Sequence, residues 1–177
     1  MDRRELQALQ RPIKDRYSED PGAAVVTLTA EGSLEGEEIA CSVATGQALV
    51  RAGLHPATGG SGALACSGDM LLQALVACAG VTMRSVATSL ELGVTGTIRA
   101  EGELDFRGTL GVAKDEDVPV GFRAIHLTFA LEHDATEEEI ATLLRLTERY
   151  CVVYQTLAGG VPVTISTNGA GTESGRK

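Results

Sequence analysis

Between residues 68 and 92 the chain carries a helical pattern whose first half, DMLLQALVACAG, is apolar on nearly every side. An amphipathic surface helix shows one apolar stripe, whereas a helix apolar all round has to be surrounded. Residues 68–92 must therefore lie at the centre of the fold. The longest apolar run, 70–81, is interrupted by Gln73 and stays short of the ~18 residues that suggest a bilayer span, so it reads as a buried core helix. Ser67 is the expected N-cap and Gly93 the expected C-cap.

The flanking sequence supplies the cover. With 177 residues, 44% of them hydrophobic, one domain can build its core without disulfides or metals. Val26, Leu28 and Ala30 alternate with Thr27 and Thr29, and Ile39, Cys41 and Val43 alternate with Ala40 and Ser42, which reads as a hairpin across EGSLEGEE. A third strand is expected around residues 47–52, then a Pro/Gly loop over 53–67. After the helix, Val94, Ile98, Ala100, Leu104 and Phe106 form the inward row of a long strand, and Ile125, Leu127, Phe129 and Leu131 that of the next. Thr136 and Glu139 make a capping box for a second helix through Ile140, Leu143, Leu144, Thr147 and Cys151. Gly159 and Gly160 end it, and VPVTIS reads as a last strand. The order βββ-α-ββ-α-β specifies an α+β fold of antiparallel sheets against two long helices. Residues 1–22 form a polar extension with room for one short helix, 23–166 the domain and 167–177 a disordered tail.

Composition excludes several functions. The formal charge is -9, from 24 acidic and 15 basic residues, and no basic patch could follow a phosphate backbone, so nucleic acid is not an expected partner. Aromatics are 3% with no Trp, which disfavours a stacking platform. The N-terminus MDRRELQALQRPIKDRY has no apolar h-region, so a cytoplasmic location without membrane attachment is expected. The four cysteines, 41, 66, 78 and 151, are then expected as thiols that serve as packing, ligands or nucleophiles.

Cys78 shares a helix face with Leu71, Leu75, Thr82 and Ser85, and Cys151 lies on the apolar stripe of the second helix. Two long apolar helices in one small domain have to meet, so the two thiols can become neighbours. Taken singly, a buried cysteine is more often a small hydrophobe than a nucleophile; a facing pair shifts that balance. Cys66 stands before the Ser67 cap, and Cys41 alternates with core residues. His126 and His133 read as solvated, and His55 as a residue at a pocket mouth. No CxxC or HExxH spacing exists, so no metal is expected.

The segments MLLQALVACAGVTMRSVA around Cys78 and ERYCVVYQTLAGGVPV around Cys151, with GFRAIHLTFALEHDATEEE between them, resemble the OsmC/Ohr family, in its OsmC-like branch. The resemblance implies an intertwined homodimer with active sites at the subunit interface. It also implies a thiol-dependent peroxidase for organic hydroperoxides, acting in oxidative stress defence. Cys78 would be the peroxidatic residue and Cys151 the resolving one. No bound cofactor is implied; the electron donor would be an external dithiol of lipoyl type. The Ohr branch places a glutamate ten positions before the reactive cysteine, where this chain has Gly68, and an arginine near the first hairpin. Asp69 follows, but nine residues at about 100° each put it on the helix face opposite Cys78. The activating cation would be Arg51, Arg123 or a residue of the partner subunit, and Arg51, Asp69 and His55 are the candidate supporting residues. The proline that follows the second cysteine in much of the family is Val152 here. Two other classes stay open: a non-enzymatic dimer that binds apolar ligands between its helices, and a structural dimer with inert thiols.

Overall fold

The computed structural model describes residues 2–20, 31–33, 40–45, 48–111 and 118–167. Within them the apolar run becomes helix α2 (Ser67–Leu90). Its N-cap is Cys66 rather than Ser67, which is already helical, and no side chain caps it. Its C-cap is Glu91 rather than Gly93, in the left-handed region at φ 59. Glycine usually fills such a cap. Here the Glu91 N–H bonds the Ala87 and Thr88 carbonyls, and its carboxylate meets Arg3 at 3.0 Å. Arg3 opens helix α1 (Arg3–Glu19), which is seventeen residues long instead of the short helix expected. A capping box of Asp2 and Glu5, each accepting the other's N–H at 2.8 Å, starts it.

Four short strands precede α2. β1 (Glu31–Ser33) pairs antiparallel with β2 (Ala40–Thr45), and β2 with β3 (Ala48–Gly53). The first strand thus enters the segment expected to be the hairpin turn, while the expected strand residues 26–30 and Ile39 lie outside the described residues. β4 (Ala65–Cys66) runs parallel to β3 and leads directly into α2. Beyond α2, β5 (Val94–Leu104) and β6 (Phe122–His133) form an antiparallel ribbon paired from Val94↔His133 to Leu104↔Phe122, with one register shift at Glu103/Leu104. Between them stands the short helix α3 (Phe106–Thr109). The burial alternation of both strands follows the sequence pattern. Thr136 and Glu139 cap α4 (Glu137–Tyr150) reciprocally, as their spacing predicts.

The core gathers where α2, α4 and the β5–β6 ribbon converge, with Met83, Ala87, Val94 and Leu143 at its centre and Ile98, Phe129 and Leu131 against it. α2 itself is covered along one stripe only: Leu75, Ala79, Met83 and Ala87, spaced i, i+4. Its other side is open, contrary to the fully buried helix expected. Val81 is 72% exposed, Leu71, Ala74 and Ala77 are exposed as well, and an apolar groove of about 540 Å³ runs between this side and β5. By length and hydropathy alone α2 could cross a bilayer, but its packing against the ribbon and α4 makes it the axis of an α+β domain. The expected final strand, 161–166, pairs with no strand among the described residues, Thr167 forms an isolated bridge, and Val161, Val163 and Ile165 are all exposed. The expected tail, 168–177, lies outside the described residues.

Gly96 is a glycine the ribbon cannot replace. Its φ is +130, and a β-carbon there would stand 2.0 Å from the Ala130 carbonyl oxygen. Gly96→Ala is expected to destabilise the fold by roughly 2–4 kcal/mol through backbone strain and the forced parting of two strands, read as a lower midpoint in urea unfolding.

Candidate active site

The second helix does not continue through Cys151 as its i, i+11 spacing predicts. α4 stops at Tyr150, Cys151 takes an extended conformation (φ -74, ψ 107), and α5 (Val152–Gly159) starts immediately after it. Cys151 is thus the C-cap of one helix and the N-cap of the next. The junction is pinned on both sides. The Cys151 N–H donates to the Thr147 carbonyl at 2.9 Å, the Tyr154 hydroxyl to the Glu148 carboxylate at 3.0 Å, and the Gln155 side-chain amide to the Glu148 carbonyl at 2.9 Å. Thr147, also buried, uses its own hydroxyl on the Leu143 carbonyl at 2.8 Å.

This corner packs on α2 and brings Cys151, 1% exposed, against the half-buried Cys78. Both thiols are free, and they lie close enough to act on each other's ionisation. Burial pushes the Cys78 thiol up, but hydrogen bonds from the Val153 N–H, the Cys151 side chain, the Val152 N–H and the Thr82 hydroxyl outweigh it, leaving Cys78 below the ordinary cysteine value. For Cys151, burial and the adjacent Cys78, which needs its proton as a donor, outweigh the Tyr154 and Val153 N–H groups and push the thiol up. One sulfur is tuned toward the thiolate and the other toward the thiol. That is the division of labour a nucleophile and a second, proton-bearing thiol require.

The expected supporting residues stand elsewhere. Arg51 lies on β3 beside a groove with Leu54, Gly60 and Ser61. Arg123 opens β6, and its charge acts on Asp105, whose carboxyl is held at about 2 chiefly by Arg107. Asp69 lines the side of α2 that faces Ala100, in company with Leu72, Gln73 and Val76 and away from Cys78. His55 caps a turn at Pro56–Thr58, accepting the Ala57 N–H at 3.1 Å, and stacks on Phe106 with ring centroids 4.7 Å apart. Cys66 is half-buried at the start of α2, and the side-chain surroundings of Cys41 in β2 lie outside the described residues. His133 faces the Ala135 carbonyl at 3.1 Å. The groups acting most strongly on Cys78 include no cation. They include two backbone N–H groups, which the sequence signals only through the pair Val152-Val153 directly after Cys151.

Comparison with known proteins gives a consistent picture. The sequence matches the OsmC-like protein family over residues 60–166, more than half of the chain. The fold is similar to that of an OsmC-like protein from Mycoplasma pneumoniae (TM-score 0.63, 18% identity, 76% of this chain and 89% of that one). It is also similar to an organic hydroperoxide resistance protein OsmC, described as a predicted redox protein, from Legionella pneumophila (TM-score 0.54, 17% identity, 76% and 91%). An OsmC-like protein of unknown function from Vibrio cholerae is similar as well (TM-score 0.57, 13% identity, 75% and 94%). At these identities the likeness is one of fold. No curated protein matches the chain in sequence.

The opposite shifts of the two thiols predict their reactivity. Alkylation tracks the thiolate fraction, so Cys78 is expected to reach half-maximal rate below the ordinary cysteine pH, and Cys151 above it. Peptide mass spectrometry after timed iodoacetamide labelling of the reduced protein is expected to show Cys78 modified at least about tenfold faster than Cys151 near neutrality.

Proposed function

The chain belongs to the OsmC-like family, and from that membership we propose that it is a thiol-dependent peroxidase that reduces organic hydroperoxides through Cys78 and Cys151. The observation that carries the reading is the buried contact between a thiol tuned toward its anion and a thiol tuned toward its proton. In the first step the Cys78 thiolate attacks the terminal peroxide oxygen. The O–O bond breaks, the alkoxide leaves as the alcohol after taking a proton, and Cys78 becomes a sulfenic acid. In the second step the Cys151 sulfur attacks the Cys78 sulfur, the S–O bond breaks, water leaves and a disulfide forms. An external dithiol, of the lipoyl type, then reduces the disulfide and is itself oxidised, which restores both thiols.

An apolar substituent on the peroxide suits this setting. Leu71 precedes Cys78 on its side of α2, and Val81 follows it by three residues. A group burying on the order of 100 Å² of hydrocarbon gains about 2.5 kcal/mol, more than tenfold in preference over hydrogen peroxide. The same apolar side of α2 supports assembly as a homodimer: Val81, Leu71, Val161, Val163 and Ile165 expose more hydrocarbon than an isolated chain of this size retains comfortably.

Three measurements test this reading. Cys78→Ser is expected to abolish turnover of cumene hydroperoxide with a dithiol donor, whereas Cys151→Ser consumes about one equivalent per chain and stops at a dimedone-reactive sulfenic acid. Equal residual turnover in the two variants would reject the roles. With one reductant, kcat/KM for cumene hydroperoxide is expected to exceed that for hydrogen peroxide by about tenfold or more. Sedimentation at micromolar concentration is expected to give a dimer, and a monomer would remove the interface from the reading.

A further inference from the structure

The first turn of α5 presents an accounting problem. A helix leaves its leading N–H groups without intrahelical acceptors, and a side chain at the N-cap usually takes one or two. Here the N-cap is Cys151, which makes no side-chain cap, and the first intrahelical bond is from the Gln155 N–H to the Cys151 carbonyl at 2.9 Å. The N–H groups of Val152, Val153 and Tyr154 therefore need other acceptors. The groups they face are the two sulfurs: the Val152 and Val153 N–H groups act on Cys78, and those of Val153 and Tyr154 on Cys151. The orientation is not left to fraying, because Tyr154 and Gln155 both anchor the turn to Glu148. On the α2 side, Thr82 sits one turn beyond Cys78 and directs its hydroxyl to the same sulfur.

We propose that the uncapped backbone N–H groups of Val152 and Val153 are the groups that receive the negative charge of the Cys78 sulfur, the role a side-chain cation would otherwise fill. Several donors converge on one anion, and the positive end of the α5 dipole adds to them. Val152 is in these terms a positioning residue that acts through its backbone, with Thr82 completing the set. The proposal deepens the peroxidase reading, since it concerns how its attacking thiol is activated. It can be tested without any peroxide.

Val152 occupies the first helical position, where proline is well tolerated because its φ suits the helix and its N–H is not part of the ladder. Val152→Pro therefore deletes one donor to Cys78 and keeps the turn. In the otherwise unaltered chain, the pH midpoint of Cys78 alkylation by iodoacetamide, followed peptide by peptide, is expected to move up by at least about half a unit, a roughly threefold loss of thiolate below the midpoint. Val152→Ala, which keeps the N–H, is expected to retain the original midpoint, and Thr82→Val to raise it by a smaller amount. An unmoved midpoint in Val152→Pro with native far-ultraviolet circular dichroism would overturn the proposal. Should that variant not fold, Arg51→Gln and Arg123→Gln decide: unchanged midpoints support the backbone assignment, and a rise of half a unit or more in either one restores the side-chain cation and overturns it. Loss of peroxidase activity in every assay, with the midpoints behaving as described, would sink the enzyme reading and leave the backbone assignment standing.

Discussion

A helix without a polar face obliges everything around it. α2 carries hydrocarbon on most of its circumference, and the elements of the described chain that pack on it remove some of that surface from water: the β5–β6 ribbon, α4, α5, α1 and β4. One stripe is fully removed and the opposite one is not. The fold is thus organised about an axis that a single chain covers on one side, and the segment after Gly160 adds exposed Val161, Val163 and Ile165 to the same uncovered inventory. Cys78 stands at the border of the two sides, half-buried beside the fully buried Cys151.

The second thiol owes its place to a break rather than to a helix. Had α4 run on through Cys151, the next N–H groups would have been spent on carbonyls four residues back, and nothing would have pointed at Cys78. The extended conformation of Cys151 interrupts that ladder, restarts it as α5 and turns the new helix's leading donors onto the sulfur pair. Glu148 holds the restart in place from both its side chain and its carbonyl. Local geometry, packing and sulfur chemistry meet at that one residue.

Much of this was legible in the sequence because it rests on periodicity. The apolar run, the alternation in β5 and β6, and the Thr136–Glu139 box are local signals with local causes, and each appears where it is expected. The meeting of Cys78 and Cys151 was legible too, since two long apolar helices in a small domain leave few other arrangements. What the sequence concealed are features with no local marker. The break at Cys151 has neither glycine nor proline beside it, and a β-branched pair such as Val152-Val153 is only a weak hint. Glu91 holds a left-handed cap two residues before the glycine that would advertise one, with a carboxylate bound by a distant arginine on α1. Arg51, Arg123 and His55 carry the right chemistry for an active site, and no local signal tells that within one chain they stand beside a groove, near Asp105 and against Phe106.

The donors gathered at the start of α5 also bear on the energetics of electron transfer. They favour a negatively charged sulfur, and such a sulfur exists only while the pair is reduced; joining the two sulfurs would remove the charge and strand the N–H groups. Stabilising the reduced partner of a redox couple raises its reduction potential, by about 30 mV for each 1.4 kcal/mol in a two-electron couple. A disulfide between Cys78 and Cys151 would therefore be an oxidising one, poised to accept electrons from a modest dithiol rather than to persist as a structural staple.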